Sequence, residues 1–324
     1  MLAVLNRESP SAPSTHTADR KARCPKSPQR QTKPSLEAPS HPKKPRDESL
    51  PNPVQSNLVP RGNPQLVEAH FEQIFRNLSL GQSPAGEIKE YMSRQADINA
   101  KMRGILVDWL VDVNLKFKLL PQTLFLTVNL LDRYLAAKQV SRQKLQLVGV
   151  TALMVVSKYE EVYPPMLKDF VAVCDNAYTK KEVLQMEADV LATLDFAVNR
   201  PTSYTFLELL RNRIRLEDKP FIFARYMLEN ALLDLSHLRH SALELATAAF
   251  FLVHKVFKLS WNPEVIANLG MFDEARVKNC AKDLYVLMNK YDASPLCAIK
   301  NKFSEQQYFE VSKYKIEKGS GNSG

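Results

Sequence analysis

The chain has 324 residues, 45% hydrophobic and 24% charged, enough for two domains with buried cores. Nine glycines and two tryptophans argue against a glycine-rich propeller or a collagen-like chain, and four scattered cysteines without a CxxC pair argue against a zinc ribbon or disulfide framework and fit a reducing intracellular compartment. The formal charge of +9 divides into +6 over residues 1–65 and +3 over the remainder, so the basic excess belongs to a tail and does not make a nucleic-acid-binding fold.

Residues 1–65 contain 12 of the 20 prolines and no Phe, Tyr or Trp. Burial cannot offset the ordering entropy of such a stretch, which is expected to be disordered. Its basic clusters at 20–23 and 42–46 read either as solvated charge or as a nuclear import signal. Ser27, followed by Pro28 and then Arg30, is a candidate phosphosite of the proline-directed kind. Segment 58–62 resembles a protease recognition sequence and 319–324 is a small-residue trailer, so neither enters the fold argument. The start of the chain, 1–5, is too short for a secretory signal, and the longest apolar run, 147–156, falls short of the about 20 residues of a membrane span.

From residue 66 the pattern becomes helical. Val67, Phe71, Ile74, Phe75 and Leu78 define an amphipathic helix of about three turns. Asn99 is the expected N-cap of a helix running to about 118. Helices then fit 121–138, 141–160, 164–174 and 179–194, and after Phe196 again 201–213, 219–237, 242–257, 263–269 and 273–289. Period-two alternation is missing, so the body is read as all-α. The apolar, small-residue stretch 149–158 superposes on 246–255 with an offset of 97. Helices apolar on every side are buried among others. Two five-helix bundles in tandem, each built around its third helix, follow. The expected organisation is a disordered tail (1–65), an N-terminal helix and connector (66–98), a first repeat (99–197), a second repeat (198–292) and a C-terminal segment (293–324).

No catalytic constellation stands out. Glycine-rich phosphate loops, HExxH and paired metal-ligand spacings are missing, so no cofactor or metal is expected. Asp108 and Asp112, at i and i+4, read as helix-surface acids rather than an acid–base pair, and Cys174 reads as a core thiol. The stretch 102–113 carries two apolar stripes, of which one includes Met102, Ile105, Leu106 and Trp109. One stripe faces the core; the other is either covered or left as a groove for a partner. Arg103 lies among these stripes and Asp132 follows two leucines on the next helix, so the two are expected to form a buried pair. Lys158 and Glu187 either pair or are offered to a partner.

The stretches 102–111 (MRGILVDWLV), 144–149 (KLQLVG), 157–161 (SKYEE) with 163–165 (YPP), 178–180 (YTK) and Met186-Glu187 together resemble the cyclin box, in order and spacing. The likeness extends upstream to Tyr91-Met92 and Asp97-Ile98 and downstream to 298–303, covering roughly 66–312, with B-type wording at 116–120, 149–152 and 200–201. The resemblance implies two tandem cyclin folds and a non-catalytic activating subunit of a cyclin-dependent kinase, active in mitosis. It implies kinase contacts at Lys158, Glu187, Tyr159, Val155, Leu191, Phe196 and Ile74. It also implies a patch of Met102, Ile105, Leu106, Trp109 and Leu145 for Arg-x-Leu motifs of substrates or inhibitors, with Asp112 and Gln146 holding the motif's arginine. Arg103 and Asp132 match the family's buried ion pair.

The chain departs from that pattern in places. Gly104 stands where Ala is usual and would open the groove slightly. His70 and Asn77 flank Ile74 where two Tyr are usual, and Phe71 and Phe75 are expected to stand in. The tail lacks the usual mitotic destruction motifs. The alternatives are a transcription-factor-type cyclin fold bridging DNA and polymerase, and a docking scaffold that acts without a kinase. Against the first stand the missing cysteine cluster and the small charge of the body. No direct nucleic-acid or membrane partner is expected, and the expected location is nucleus and cytoplasm.

Overall fold

The structure, a computed structural model, describes residues 70–81, 88, 90–260 and 274–314. The tail with its basic clusters and Ser27, the segments 58–62 and 319–324, and the expected helix at 263–269 lie outside these residues. The regular elements among the described residues are all helical. They are α1 (Phe71–Leu80), α2 (Ala100–Lys116), α3 (Pro121–Ala137), α4 (Leu145–Glu160), α5 (Leu167–Val173), α6 (Lys180–Thr193), α7 (Ser203–Ile214), α8 (Asp218–Leu232), α9 (Ala242–Val256), α10 (Glu274–Asp292) and α11 (Ala298–Phe303).

Local chemistry sets the ends of these helices. Asn99 Oδ1 accepts the Met102 N–H at 3.0 Å and starts α2 as expected. Lys118, left-handed with φ 56°, follows its end. Thr179 and Glu182 form a capping box on α6, and Ser241 and Glu244 form one on α9. The helix expected at 164–174 begins only at Leu167, because a residue before proline is pushed to extended backbone; the Met166 N–H is held by Asp169 at 2.9 Å. The helix expected to reach 237 stops at Leu232, where Asp234 accepts the Ser236 N–H and starts the short turn Leu235–Arg239.

α4 is buried along its apolar length and packs against α2, α3, α5 and α6. α9 likewise packs against α7, α8 and α10. Their first residues, Leu145 and Ala242, preserve the offset read from the sequence. Gly149 lets α2 approach: a Cβ there would lie 2.8 Å from a Leu106 methyl.

The repeats are joined at several places. Phe125 of α3 stacks on Tyr204 of α7 at 5.4 Å. Gly104 is buried at this junction rather than beside a groove. A Cβ there would lie 3.1 Å from the Leu233 carbonyl, so the absence of a side chain serves the close approach of the second repeat. α1 docks on the second repeat: Phe75 is 2% exposed and meets Phe206 of α7 edge-on at 5.8 Å. α11 lies across both repeats, packed on α2 and α8. Its Lys302 Nζ donates to both oxygens of Glu229, at 2.8 and 2.7 Å, and Arg225 Nε donates to the same carboxylate at 2.8 Å.

Candidate functional site

Beneath the surface, Arg103 and Asp132 pair as the sequence suggested. The guanidinium donates to both carboxylate oxygens, at 2.9 and 2.6 Å, and both side chains are wholly buried. Tyr91 donates its hydroxyl to Asp132 at 2.7 Å, and Arg103 also donates to the Leu232 carbonyl at the end of α8. The facing carboxylate holds the Arg103 guanidinium more firmly protonated than usual despite the cost of burial. This pair fixes α2 to α3 and reaches the second repeat.

On the surface of the first repeat, α4 and α6 bring Lys158 and Glu187 together. Lys158 Nζ donates to Glu187 Oε1 at 2.7 Å, so the alternative of pairing is realised. The lysine remains 46% exposed. Around the pair lie exposed apolar side chains. Tyr159 follows Lys158 at the end of α4, Leu184 and the half-buried Leu191 lie one turn to either side of Glu187 on α6, and Phe196 follows α6. Phe196 is 71% exposed and left-handed (φ 56°), as is Asp195 before it (φ 50°). A left-handed conformation costs a bulky residue about 1–2 kcal/mol. Here it is locked by the Phe196 N–H donating to the Leu191 carbonyl at 2.9 Å.

Two expected contact residues lie deeper than Tyr159 and Phe196. Val155 is buried at 5% exposure and supports the surface from below. Ile74 on α1 is half-buried against the core. Nor is Phe75 free to stand in for a missing tyrosine, because it is spent on the contact with α7. Sequence reasoning assigned no role to Val162, Tyr163 or Met166, which are among the most exposed large apolar side chains. The signal was present in the Tyr163-Pro164-Pro165 motif, whose prolines delay α5 and leave this loop on the surface.

The second expected patch has a buried floor and an accessible rim. Met102, Leu106 and Leu145 are buried, Ile105, Trp109 and Gln146 are half-buried, and Asp112 is exposed. Asp108, expected at the surface, is instead buried and accepts the Ala298 N–H at 3.1 Å, joining α2 to the start of α11. Burial, with a smaller push from Asp112, raises it to about 7. Burial likewise pushes the Cys174 thiol up to about 12, which suits a core thiol.

Comparison with known proteins agrees with this architecture. The family described as Cyclin, N-terminal domain matches residues 73–199, and Cyclin, C-terminal domain matches 201–317. Cyclin-A1-1 of Arabidopsis thaliana is 37% identical over 261 residues, which cover 78% of this chain and 56% of that protein. G2/mitotic-specific cyclin-B of Hydra vulgaris is 36% identical over 257 residues, covering 79% of this chain and 71% of that protein. The chain thus spans little more than half the length of its plant relative. A viral cyclin from herpesvirus saimiri has the same fold, with a TM-score of 0.54 at 19% identity over 75% of this chain and all of that one. The two matched domains, one on each helical repeat, and relatives of this identity place the chain in the cyclin family, in the company of B-type and A-type members.

Proposed function

We propose that the chain is the activating, non-catalytic subunit of a cyclin-dependent Ser/Thr protein kinase. The observation that carries this reading is the Lys158–Glu187 pair, partly exposed among Tyr159, Leu184 and Phe196. Apolar side chains gathered on a surface mark a partner site. The pair at its centre gives that partner polar register: Lys158 has three N–H groups and spends one on Glu187, while Glu187 keeps free lone pairs. Each side chain holds the other in place, so a partner backbone meets a donor and an acceptor already set. Pressed against the mobile helix of a kinase, such a face favours closure of the kinase's own Lys–Glu pair and lets its activation loop leave the substrate cleft.

The patch of Ile105 and Trp109 over Met102, Leu106 and Leu145 then recruits Arg-x-Leu motifs of substrates or inhibitors. Asp112 and Gln146 supply the acceptors for the arginine. Relatives called G2/mitotic-specific support a role in the onset and progress of mitosis; the location proposed with that role is nucleus and cytoplasm. Two arms test the reading. A cell-cycle kinase should co-elute with the wild-type chain and not with a Lys158→Ala/Glu187→Ala variant. An Arg-x-Leu peptide should bind wild type and lose at least tenfold in affinity with Trp109→Ala. A kinase bound equally by both chains would contradict the first assignment, and unchanged peptide affinity the second.

A further inference from the structure

The loop between α4 and α5 displays side chains that the fold does not use. Tyr163 is 92% exposed, and Val162 and Met166 beside it are exposed too. The loop is tied at both ends. The Glu161 N–H donates to the Ser157 carbonyl at 3.0 Å, and the Glu161 carboxylate accepts the Leu120 N–H at 2.7 Å and the Thr123 hydroxyl at 2.6 Å. At the other end Asp169 accepts the Met166 N–H at 2.9 Å. Between these anchors Val162 and Tyr163 make no hydrogen bond with the described residues, and Pro164 and Pro165 have no N–H to offer. The other tyrosines are held. They lie in helices or are buried, while Tyr178 donates to the Gln143 carbonyl and Tyr314 stacks on Phe257.

A tyrosine displayed in this way enters an enzyme's cleft without undoing any hydrogen bond of the fold. Tyr163 and Pro164 each precede a proline, which favours the extended backbone that clefts bind. Glu160 and Glu161 stand three and two residues before the tyrosine, and carboxylates so placed favour an enzyme whose cleft is rimmed by cations. We infer that Tyr163 is a phosphorylation site for a protein tyrosine kinase that prefers acidic substrates. Tyr163 Oη bonds to the γ-phosphorus of ATP, the bond from that phosphorus to the β,γ-bridging oxygen breaks with its electron pair leaving on ADP, and the phenolic proton passes to the enzyme's base. The product carries a charge of about −1.5 to −2. Tyr159, in the last turn of α4, is four residues back, so the chain keeps the two Cα atoms within about 14 Å. That distance lies inside the span of a partner interface of about 800 Å² per side. On the function proposed above, on which this consequence rests, the phosphate puts charge into an apolar face that a cyclin-dependent kinase must desolvate, and so opposes its docking.

The full-length chain is incubated with magnesium ATP and a tyrosine kinase catalytic domain that phosphorylates poly(Glu,Tyr), and the product is mapped by fragment-ion mass spectrometry. The expected result is about one phosphate per chain, on Tyr163, with an initial rate at least about tenfold lower in Tyr163→Phe. That variant should melt with wild type, because the hydroxyl it loses has no partner in the fold. Glu160→Gln/Glu161→Gln should raise KM severalfold and leave kcat nearly unchanged. An equal rate in Tyr163→Phe, modification chiefly at another tyrosine, or a native chain left unmodified while a synthetic peptide of residues 158–168 is modified would overturn the site. The phosphorylated chain should then bind a cell-cycle kinase at least about tenfold more weakly than the unmodified chain. Equal binding overturns the blocking role; an unmodified chain that binds no such kinase overturns the earlier reading and leaves the site standing on the mass spectrum.

Discussion

Arg103 and Lys158 each meet a carboxylate at nearly the same distance, 2.6 and 2.7 Å, but burial separates what the two pairs do. Arg103 is wholly buried, and its removal strands Asp132 and the Leu232 carbonyl. Arg103→Ala should therefore cost about 3–5 kcal/mol in urea unfolding. Lys158 is solvated, and Lys158→Ala should cost less than about 1 kcal/mol while abolishing partner binding. Gly149 carries a third residue-scale prediction. Its missing Cβ makes room for Leu106, which floors the Trp109 patch. Gly149→Ala should destabilise by about 1–3 kcal/mol through overpacking and also weaken docking-peptide binding, both measurable on one preparation. The Arg103–Asp132 pair was legible in the sequence, since a charge inside an apolar stripe needs a partner on the neighbouring helix. The role of Gly104 was not, because the carbonyl it accommodates lies about 130 residues further on.

At the scale of elements, capping accounts for what could be read. Asn99, Thr179 and Ser241 act on amides three residues away, so short patterns reveal them. Asp108 acts on an amide 190 positions away, and nothing local distinguishes it from a surface acid. Its placement has a pH signature. The folded-state value, about 7, lies above the ordinary 3.8, so folding favours the protonated acid. The stability this group contributes is whole below about 4 and is lost as pH rises through about 7. Asp108→Asn keeps an acceptor for the Ala298 N–H and should flatten that decline relative to wild type in unfolding measured from pH 4 to 8. Asp108→Ala leaves the amide unpaired and should cost about 1–3 kcal/mol across the range.

Across the whole molecule, the two repeats are held together by elements outside the repeats as well as by their own contact. α1 docks on α7, and α11 bridges α2 and α8 through Asp108 and Glu229. Lys302 and Glu229 are both buried, and burial holds the Lys302 amine down to about 8. Lys302→Ala removes one of the two cations facing Glu229 and should cost about 3–5 kcal/mol, seen as a lower midpoint in thermal unfolding. The tandem architecture was legible because α4 and α9 share an all-round apolar pattern at a constant offset. The bridge through α11 was not legible, since Asp108 meets an amide 190 positions away and Glu229 meets a lysine 73 positions away.

The central claim is that the face around Lys158 and Glu187 activates a kinase. The most direct measurement mixes the purified chain with an activation-loop-phosphorylated cell-cycle kinase and follows phosphate transfer to a histone-type peptide. The account predicts a large rise in rate with wild type, lost by at least tenfold in the Lys158→Ala/Glu187→Ala variant while its unfolding midpoint stays near that of wild type. A rise of equal size in wild type and variant would contradict it, as would no rise with a kinase that responds to other cyclins.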